Sequence, residues 1–231
     1  MTVPAYPAPK LLEGGLDLIF PPMCVGCRHV GRWICPECWP RVPWIEDRQC
    51  FECAKPSPTV RCVRCSGMSR SLDRLVAVAE FDGPAREAVH TLKFNGRYAI
   101  AGVMARLMAE ASKDVDVDVI VPVPLHRIRL RERGYDQSAL LARSVARSLS
   151  RPSRPKALRR CRPTLQQASL PAHERRSNVA GAFEPRDKWS GEAILLVDDV
   201  TTTGATLDAA AAALRKAGAG QITGLVFALA V

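Results

Sequence analysis

Apolar residues along this chain gather in short blocks separated by polar turns, and the blocks follow two different periods. Leu75 to Phe81, Val117 to Val121, Ile194 to Val197 and Gln221 to Val231 are brief runs rich in Val, Ile and Leu, as expected of strands buried on both faces. Between them the period is helical. Pro84 opens a helix over Ala85 to Phe94, and a second covers Ala99 to Ala111. A third spans Tyr135 to Leu149 with Leu141, Val145 and Leu149 on one stripe, and Leu207 to Ala217 is Ala-rich and closed by Gly218. Strands alternating with helices predict an α/β fold with an open, mostly parallel sheet and helices on both faces.

The strand at Val117 runs into Pro122-Val123-Pro124. Proline cannot continue a central strand, so the chain turns out there and leaves a loop at the carboxyl edge of the sheet, where open α/β sheets bind ligands. Pro152 to Glu174 holds four prolines and no sustained period, which predicts a lid. A short strand is expected at Ala182-Phe183.

Ahead of residue 66 the pattern is absent. Val30, Trp33, Ile34, Trp39, Trp44 and Phe51 are scattered and too few for an ordinary core, while Cys24-Cys27, Cys35-Cys38, Cys50-Cys53 and Cys62-Cys65 form four Cys-x2-Cys pairs. Each pair presents two sulfurs from one tight turn, so eight thiolates make two tetrahedral structural zinc sites and metal supplies much of the folding energy. Sequential pairing is preferred, and an interleaved cross-brace stays open. Cys161 has no partner by spacing. The division expected is a lead segment over 1–20, a double zinc ribbon over 21–68 and a larger domain over 72–231, which stays folded when metal loss opens the ribbon.

The stretch Ile194 to Leu207 joins a buried strand, two acids and a hydroxyl-rich turn that opens a helix. The turn Thr201-Thr202-Thr203-Gly204-Ala205-Thr206 suits a phosphate monoester, because a helix N-terminus carries unpaired N–H groups and the positive end of a dipole. Asp198 and Asp199 suit sugar hydroxyls or a divalent cation. A ribose 5-phosphate satisfies both. No Lys follows the Gly as in a Walker loop, and Gly-x-Gly-x-x-Gly is absent.

Charge adds one feature. Residues 125–176 hold 13 arginines and one lysine against three acids, a surplus larger than the whole chain's +10. A phosphate site uses a few of these, and the remainder either track a nucleic-acid backbone or form a solvated face. Tyr135 is the only aromatic in that stretch, which argues against sequence-specific readout. No apolar run reaches transmembrane length. Met1 to Pro22 carries Glu13, Asp17 and five prolines rather than a leader's pattern, so the expected place is the cytosol, which also suits metal-bound rather than disulfide-bonded cysteines.

The order of motifs resembles the ComF family over about Leu16 to Val231. The pieces are the cysteine-rich module, Leu-Lys-Phe-Asn-Gly at 92–96, Val-Pro-Val-Pro-Leu-His, Arg-Glu-Arg-Gly-Tyr-Asp-Gln-Ser at 131–138, Gln166-Gln167, Glu-Arg-Arg-x-Asn-Val and the Asp-Asp turn. That family is similar to type I phosphoribosyltransferases fused to a zinc ribbon and is associated with natural competence and the handling of single-stranded DNA. The resemblance implies a phosphoribosyltransferase-like sheet that binds phosphoribosyl pyrophosphate (PRPP) with Mg2+. It further implies loss of pyrophosphate from the anomeric carbon and capture of the ribosyl by a nitrogen nucleophile, in an enzyme of pentosyl transfer or a binding module that keeps the site. Thr201, Thr202, Thr203, Gly204 and Thr206 would hold the 5′ phosphate, and Asp198 with Asp199 the ribose hydroxyls. Pro122, Val123 and Pro124 would shape the pyrophosphate loop, and Arg131, Arg133 or Arg175 would neutralise the leaving group. Thr202 stands where purine-salvage relatives carry an acid, which weakens the case for a purine base. Single-stranded DNA and other DNA-uptake proteins are the partners the resemblance implies.

Overall fold

In the computed structural model, residues 4, 6, 21–45, 49–68, 70–94, 97–163 and 174–230 are described. Asn95, Gly96 and, within the stretch expected as a lid, residues 164–173 with Gln166 and Gln167 lie outside them. Six strands and seven α-helices, besides a single 3-10 turn at Trp39–Arg41, occur among the described residues. In chain order they are α1 (Val63–Ser66), β1 (Arg74–Glu80), α2 (Gly83–Phe94), α3 (Ile100–Ala111), β2 (Val119–Pro122), α4 (Arg127–Arg133) and α5 (Gln137–Leu149), followed by β3 (Leu158–Arg160), α6 (Glu174–Val179), β4 (Phe183–Pro185), β5 (Ile194–Thr201), α7 (Ala205–Lys216) and β6 (Ile222–Leu229).

The main sheet is parallel with strand order β1-β6-β5-β2, as the runs of β-branched residues predict. Alternation along each strand feeds two cores. Leu195, Val197, Leu225 and Phe227 face α2, α3 and α5, whereas Ile194, Leu196, Ile222 and Val226 face α7 and the small β3–β4 ladder. The central strands are therefore apolar on both sides and need no polar face. Adjacent strands β2 and β5 lead into helices on opposite faces, α5 and α7, which opens a crevice at their carboxyl ends.

The cysteine-rich module is fused to this sheet. Val25, Ile34, Trp39 and Val42 are buried in the same cluster as Val76 and Val78 of β1. The backbone continues the join, since Ile45 N donates to Val78 O at 3.1 Å, Glu80 N to Pro43 O at 2.8 Å and Leu75 N to Phe51 O at 2.8 Å. An edge strand that would otherwise expose its amides is thus covered by the module. On the far edge, Ile120 N donates to Pro152 O at 2.9 Å and Arg154 N to Ile120 O at 2.9 Å.

Three elements differ from the sequence reading. Residues Arg127–Arg133 are a helix rather than a loop. No residue of α4 is buried, so it lacks the apolar stripe that periodicity detects, and its ends are set by His126, whose Nδ1 accepts from Ile128 N at 3.4 Å, and by left-handed Gly134. The polar stretch after Pro152 contains β3, whose three residues pair with β4 but are too few to show a period. Finally, β5 runs on through both acids to Thr201, because β6 pairs with it throughout. No helix among the described residues is long and apolar enough to cross a membrane.

The shared core gives an expected outcome for metal removal. Chelation should release residues 24–65 and, with them, amide protection on the β1 edge at Glu80 and Leu75, while β5 and β6 stay protected. Hydrogen exchange read by mass spectrometry checks this, and unchanged protection of β1 would mean that the module merely rests on the sheet.

Candidate functional site

The cysteines form two clusters, Cys24, Cys27, Cys35 and Cys38, then Cys50, Cys53, Cys62 and Cys65, with all sulfurs of a cluster within 4.8 Å of one another. Pairing is sequential. The two clusters are built alike. Arg28 (φ 67) and Ala54 (φ 56) turn left-handed after the second cysteine, and their amides donate to the carbonyls of Cys24 at 2.9 Å and Cys50 at 2.8 Å. Cys24 Sγ accepts from Cys35 N at 3.3 Å, and Cys50 Sγ from Cys62 N at 3.4 Å. Gly26 has to be glycine, since a β-carbon there would lie 2.7 Å from Cys38 Sγ.

Burial would raise the Cys24 and Cys50 thiols, but amides aimed at each sulfur outweigh it and bring both down to about 6. Burial pushes Cys35 and Cys65 up. Four soft sulfurs at this spacing with no open position fit structural zinc. Cys161 is apart from both clusters, exposed, with its thiol donating to Ala182 O at 3.4 Å.

A cavity of about 480 Å³ opens in the crevice between β2 and β5. Asp198 and Asp199 form its acidic wall. Asp198 accepts from Ser138 Oγ at 2.7 Å and from Asp199 N at 2.9 Å. Burial, and then the charge of Asp199, push its carboxyl up to about 7. Asp199 is only 3% exposed and is neutralised by Lys93 Nζ at 2.9 Å, from the last turn of α2.

The second wall is the loop after β2. Val123 N donates to Val197 O at 2.9 Å, and Leu125 N to Asp136 Oδ2 at 3.0 Å, while Asp136 also caps α5 through Ala139 N at 3.1 Å. Burial raises the Asp136 carboxyl. Val123 and Pro124 line the cavity; Pro122 remains inside β2 and does not.

At the turn, Thr201 Oγ1 accepts from Gly204 N at 3.1 Å and Thr203 Oγ1 from Ala205 N at 3.4 Å, so these two hydroxyls hold the loop. Gly204 sits at φ 78, a left-handed position that favours glycine. Thr201, Thr202 and Thr206 line the cavity, whereas Thr203 and Gly204 do not.

Of the arginines expected at the site, Arg133 lines the cavity, held by Gln137 Oε1 at 2.5 Å and stacked over Phe94 at 5.4 Å. Arg131 is exposed and does not line it. Arg175 belongs to α6, and its side chain lies outside the described part. Four lining or supporting residues escaped the sequence reading: Lys93, Ser138, His126 and Arg160. Arg160, from β3, is held below the usual guanidinium range by burial while Asp198 opposes the shift. Burial likewise lowers His126. The signal available for Lys93 was its place in Leu-Lys-Phe-Asn-Gly at the end of an apolar helix.

A double ribbon with two four-sulfur sites, packed on a parallel sheet with a crevice at its carboxyl edge, defines a zinc-ribbon α/β protein. Residues 15–69 match the double zinc ribbon domain. DNA utilization protein YhgH of Escherichia coli O157:H7 is 33% identical over 218 residues, covering 89% of this chain and 96% of the relative. Competence protein F of Haemophilus influenzae is 29% identical over 229 residues, 91% of each. The chain belongs to this family, the ComF family. Among solved structures, a glutamine PRPP amidotransferase from B. subtilis complexed with ADP and GMP aligns with a TM-score of 0.41 and 20% identity over 59% of this chain and 30% of its own.

Metal analysis should return two zinc ions per chain, with Cys161 alone open to alkylation in the folded protein; one ion or fewer would overturn the two-site reading. The raised carboxyl of Asp198 sets a second expectation. Because the folded form holds this proton more tightly than the unfolded chain, stability falls as pH rises from about 4 to about 7. Asp198→Asn should therefore flatten that slope and raise the melting temperature of the ligand-free protein at pH 8, and a variant less stable than the parent at pH 8 would contradict this.

Proposed function

We propose that the cavity binds PRPP, taken up as its magnesium complex, and that the protein is a phosphoribosyltransferase-like member of its family with a site for transferring the 5-phosphoribosyl group and releasing pyrophosphate. One observation carries this reading: an acid pair, a hydroxyl-rich helix N-terminus and flanking arginines line a single cavity. Its volume of about 480 Å³ is within the ordinary range for small-ligand sites.

In this reading Thr202, Thr206 and the first amides of α7 bind the 5′ phosphate. Asp198 and Asp199 take the ribose hydroxyls, with Ser138 and Lys93 fixing their orientation. Val123 and Pro124 border the diphosphate, and Arg133 with Arg160 offsets the charge that grows on it as the anomeric bond opens. The exposed face at Phe94 is the side from which an acceptor approaches. The eight zinc-binding thiols suit a reducing compartment, and we place the protein in the cytosol.

A second reading is favoured by surface chemistry. Arg127, Arg129 and Arg131 are exposed on α4, Phe94 (68% exposed) lines the cavity, and Tyr98 (50% exposed) packs edge-on to Tyr135 at 4.4 Å. Cations beside exposed rings suit the backbone and bases of a single strand. The relatives' names, which speak of DNA utilization and competence, agree with such a role and with partners in DNA uptake.

Calorimetric titration with PRPP and Mg2+ tests the first reading. The parent should bind, and Asp198→Asn and Thr206→Val should each lose roughly 1 to 3 kcal/mol. No binding by the parent would remove the PRPP reading. For the second, replacing Arg127, Arg129 and Arg131 with Ala should lower affinity for a single-stranded oligonucleotide and flatten its salt dependence. An unchanged slope would leave α4 as a solvated face.

A further inference from the structure

Two buried side chains of the cavity wall each keep a hydrogen-bond donor that the protein does not use. His126 is 6% exposed and Gln137 4%, and both line the cavity. The residue before each brings them together: Leu125 N donates to Asp136 Oδ2 at 3.0 Å, which closes the loop after β2 onto the start of α5.

Each side chain has its orientation set by a group that donates to it. His126 Nδ1 accepts from Ile128 N at 3.4 Å, at the start of α4. A proton on Nδ1 would set two N–H groups against each other there, so the neutral ring carries its proton on Nε2. Gln137 Oε1 accepts from Arg133 Nη1 at 2.5 Å, which a flipped amide could not do, so its nitrogen is turned away from the guanidinium. Among the described residues, neither the His126 Nε2 nor the Gln137 Nε2 makes a hydrogen bond.

Unspent N–H groups on side chains this deeply buried are costly unless an acceptor arrives from the cavity. The acids that line the cavity are engaged elsewhere: Asp198 accepts from Ser138 Oγ, Asp199 pairs with Lys93, and Glu132 pairs with Arg129 at 3.2 Å. The surroundings of the two donors are cationic. Arg133 is held by a neutral amide and pairs with no carboxylate among the described residues, and the charges that reach His126 are those of Arg127 and Arg160. Neutral donors flanked by guanidinium groups suit an oxyanion.

We propose that His126 and Gln137 are specificity-determining donors for the diphosphate end of the ligand, His126 through Nε2–H and Gln137 through its amide N–H, with Arg133 supplying the charge beside them. The inference rests on the PRPP reading above and adds to it the residues that tell PRPP from ribose 5-phosphate.

The test uses the full zinc-loaded chain with Mg2+, and PRPP and ribose 5-phosphate as probes in calorimetric titrations. His126→Asn keeps an oxygen that can accept from Ile128 N and so cap α4, but withdraws the donor at the Nε2 position. Gln137→Glu keeps the acceptor for Arg133 and puts an oxygen where the N–H was. Each variant should weaken PRPP by about tenfold or more, leave ribose 5-phosphate unchanged, and keep the parent's zinc content and circular dichroism. In 15N-edited spectra, the imidazole signal that disappears in His126→Asn should show a bare Nδ1 and a protonated Nε2, and the Nε2–H should shift when PRPP is added. A neutral ring protonated on Nδ1, PRPP affinity equal to the parent's in either variant, or an equal loss of PRPP and ribose 5-phosphate would overturn the proposal and leave the PRPP reading standing. Absence of PRPP binding by the parent would overturn both.

Discussion

Two carboxylates on consecutive residues at the buried end of a central strand repel each other and lose hydration, so the surrounding elements have to supply what water no longer does. Lys93 comes from the helix after β1 and Ser138 from the first turn of α5. Asp136, one residue before that helix, ties the loop after β2 to the same place. Each contribution arrives from a different segment, and the parallel sheet is the frame that brings their ends together. The acid pair is thereby left with a carboxyl that burial keeps reluctant to ionise, which costs stability once it does ionise.

Much of this frame could be read from the chain. Strands buried on both faces leave unbroken Val, Ile and Leu runs, so β2, β6 and the first half of β5 are legible in the chain, and the cysteine spacing announces two four-sulfur metal sites. The acid pair and turn were legible because their chemistry is contiguous. Lys93 was not, since a lysine at a helix end looks like any solvated lysine until the fold shows what it faces. Nor was α4, whose helicity owes nothing to burial. Arg160 was one arginine among many, singled out only by a three-residue ladder that folds it over the cavity. Phe94 and Tyr98 sit outside the basic segment in sequence yet lie near it in space, so a count of aromatics within residues 125–176 understated what surrounds that surface.

The ribbon also shows how a module with little apolar content obtains a core. Trp39, Ile34 and Val42 do not bury themselves against one another alone; they complete the same cluster that β1 and α2 build. Metal fixes the backbone of the module, and the sheet supplies the apolar surface, so neither half accounts for the arrangement without the other.

The covering of β1 by this module bears on the order in which the chain acquires structure. Each zinc cluster closes over short separations, Cys24 to Cys38 and Cys50 to Cys65, whereas β1 waits for β6, with Arg74 pairing Thr223. During synthesis all eight paired cysteines are made before β1, and the segment that carries them offers Pro43, Ile45 and Phe51 as hydrogen-bonding partners for a strand whose sheet neighbour β6 comes last. Metal bound to the cysteine clusters would thus hold in place the backbone that covers the β1 edge, and loss of that metal would uncover amides that a strand edge can pair with another chain.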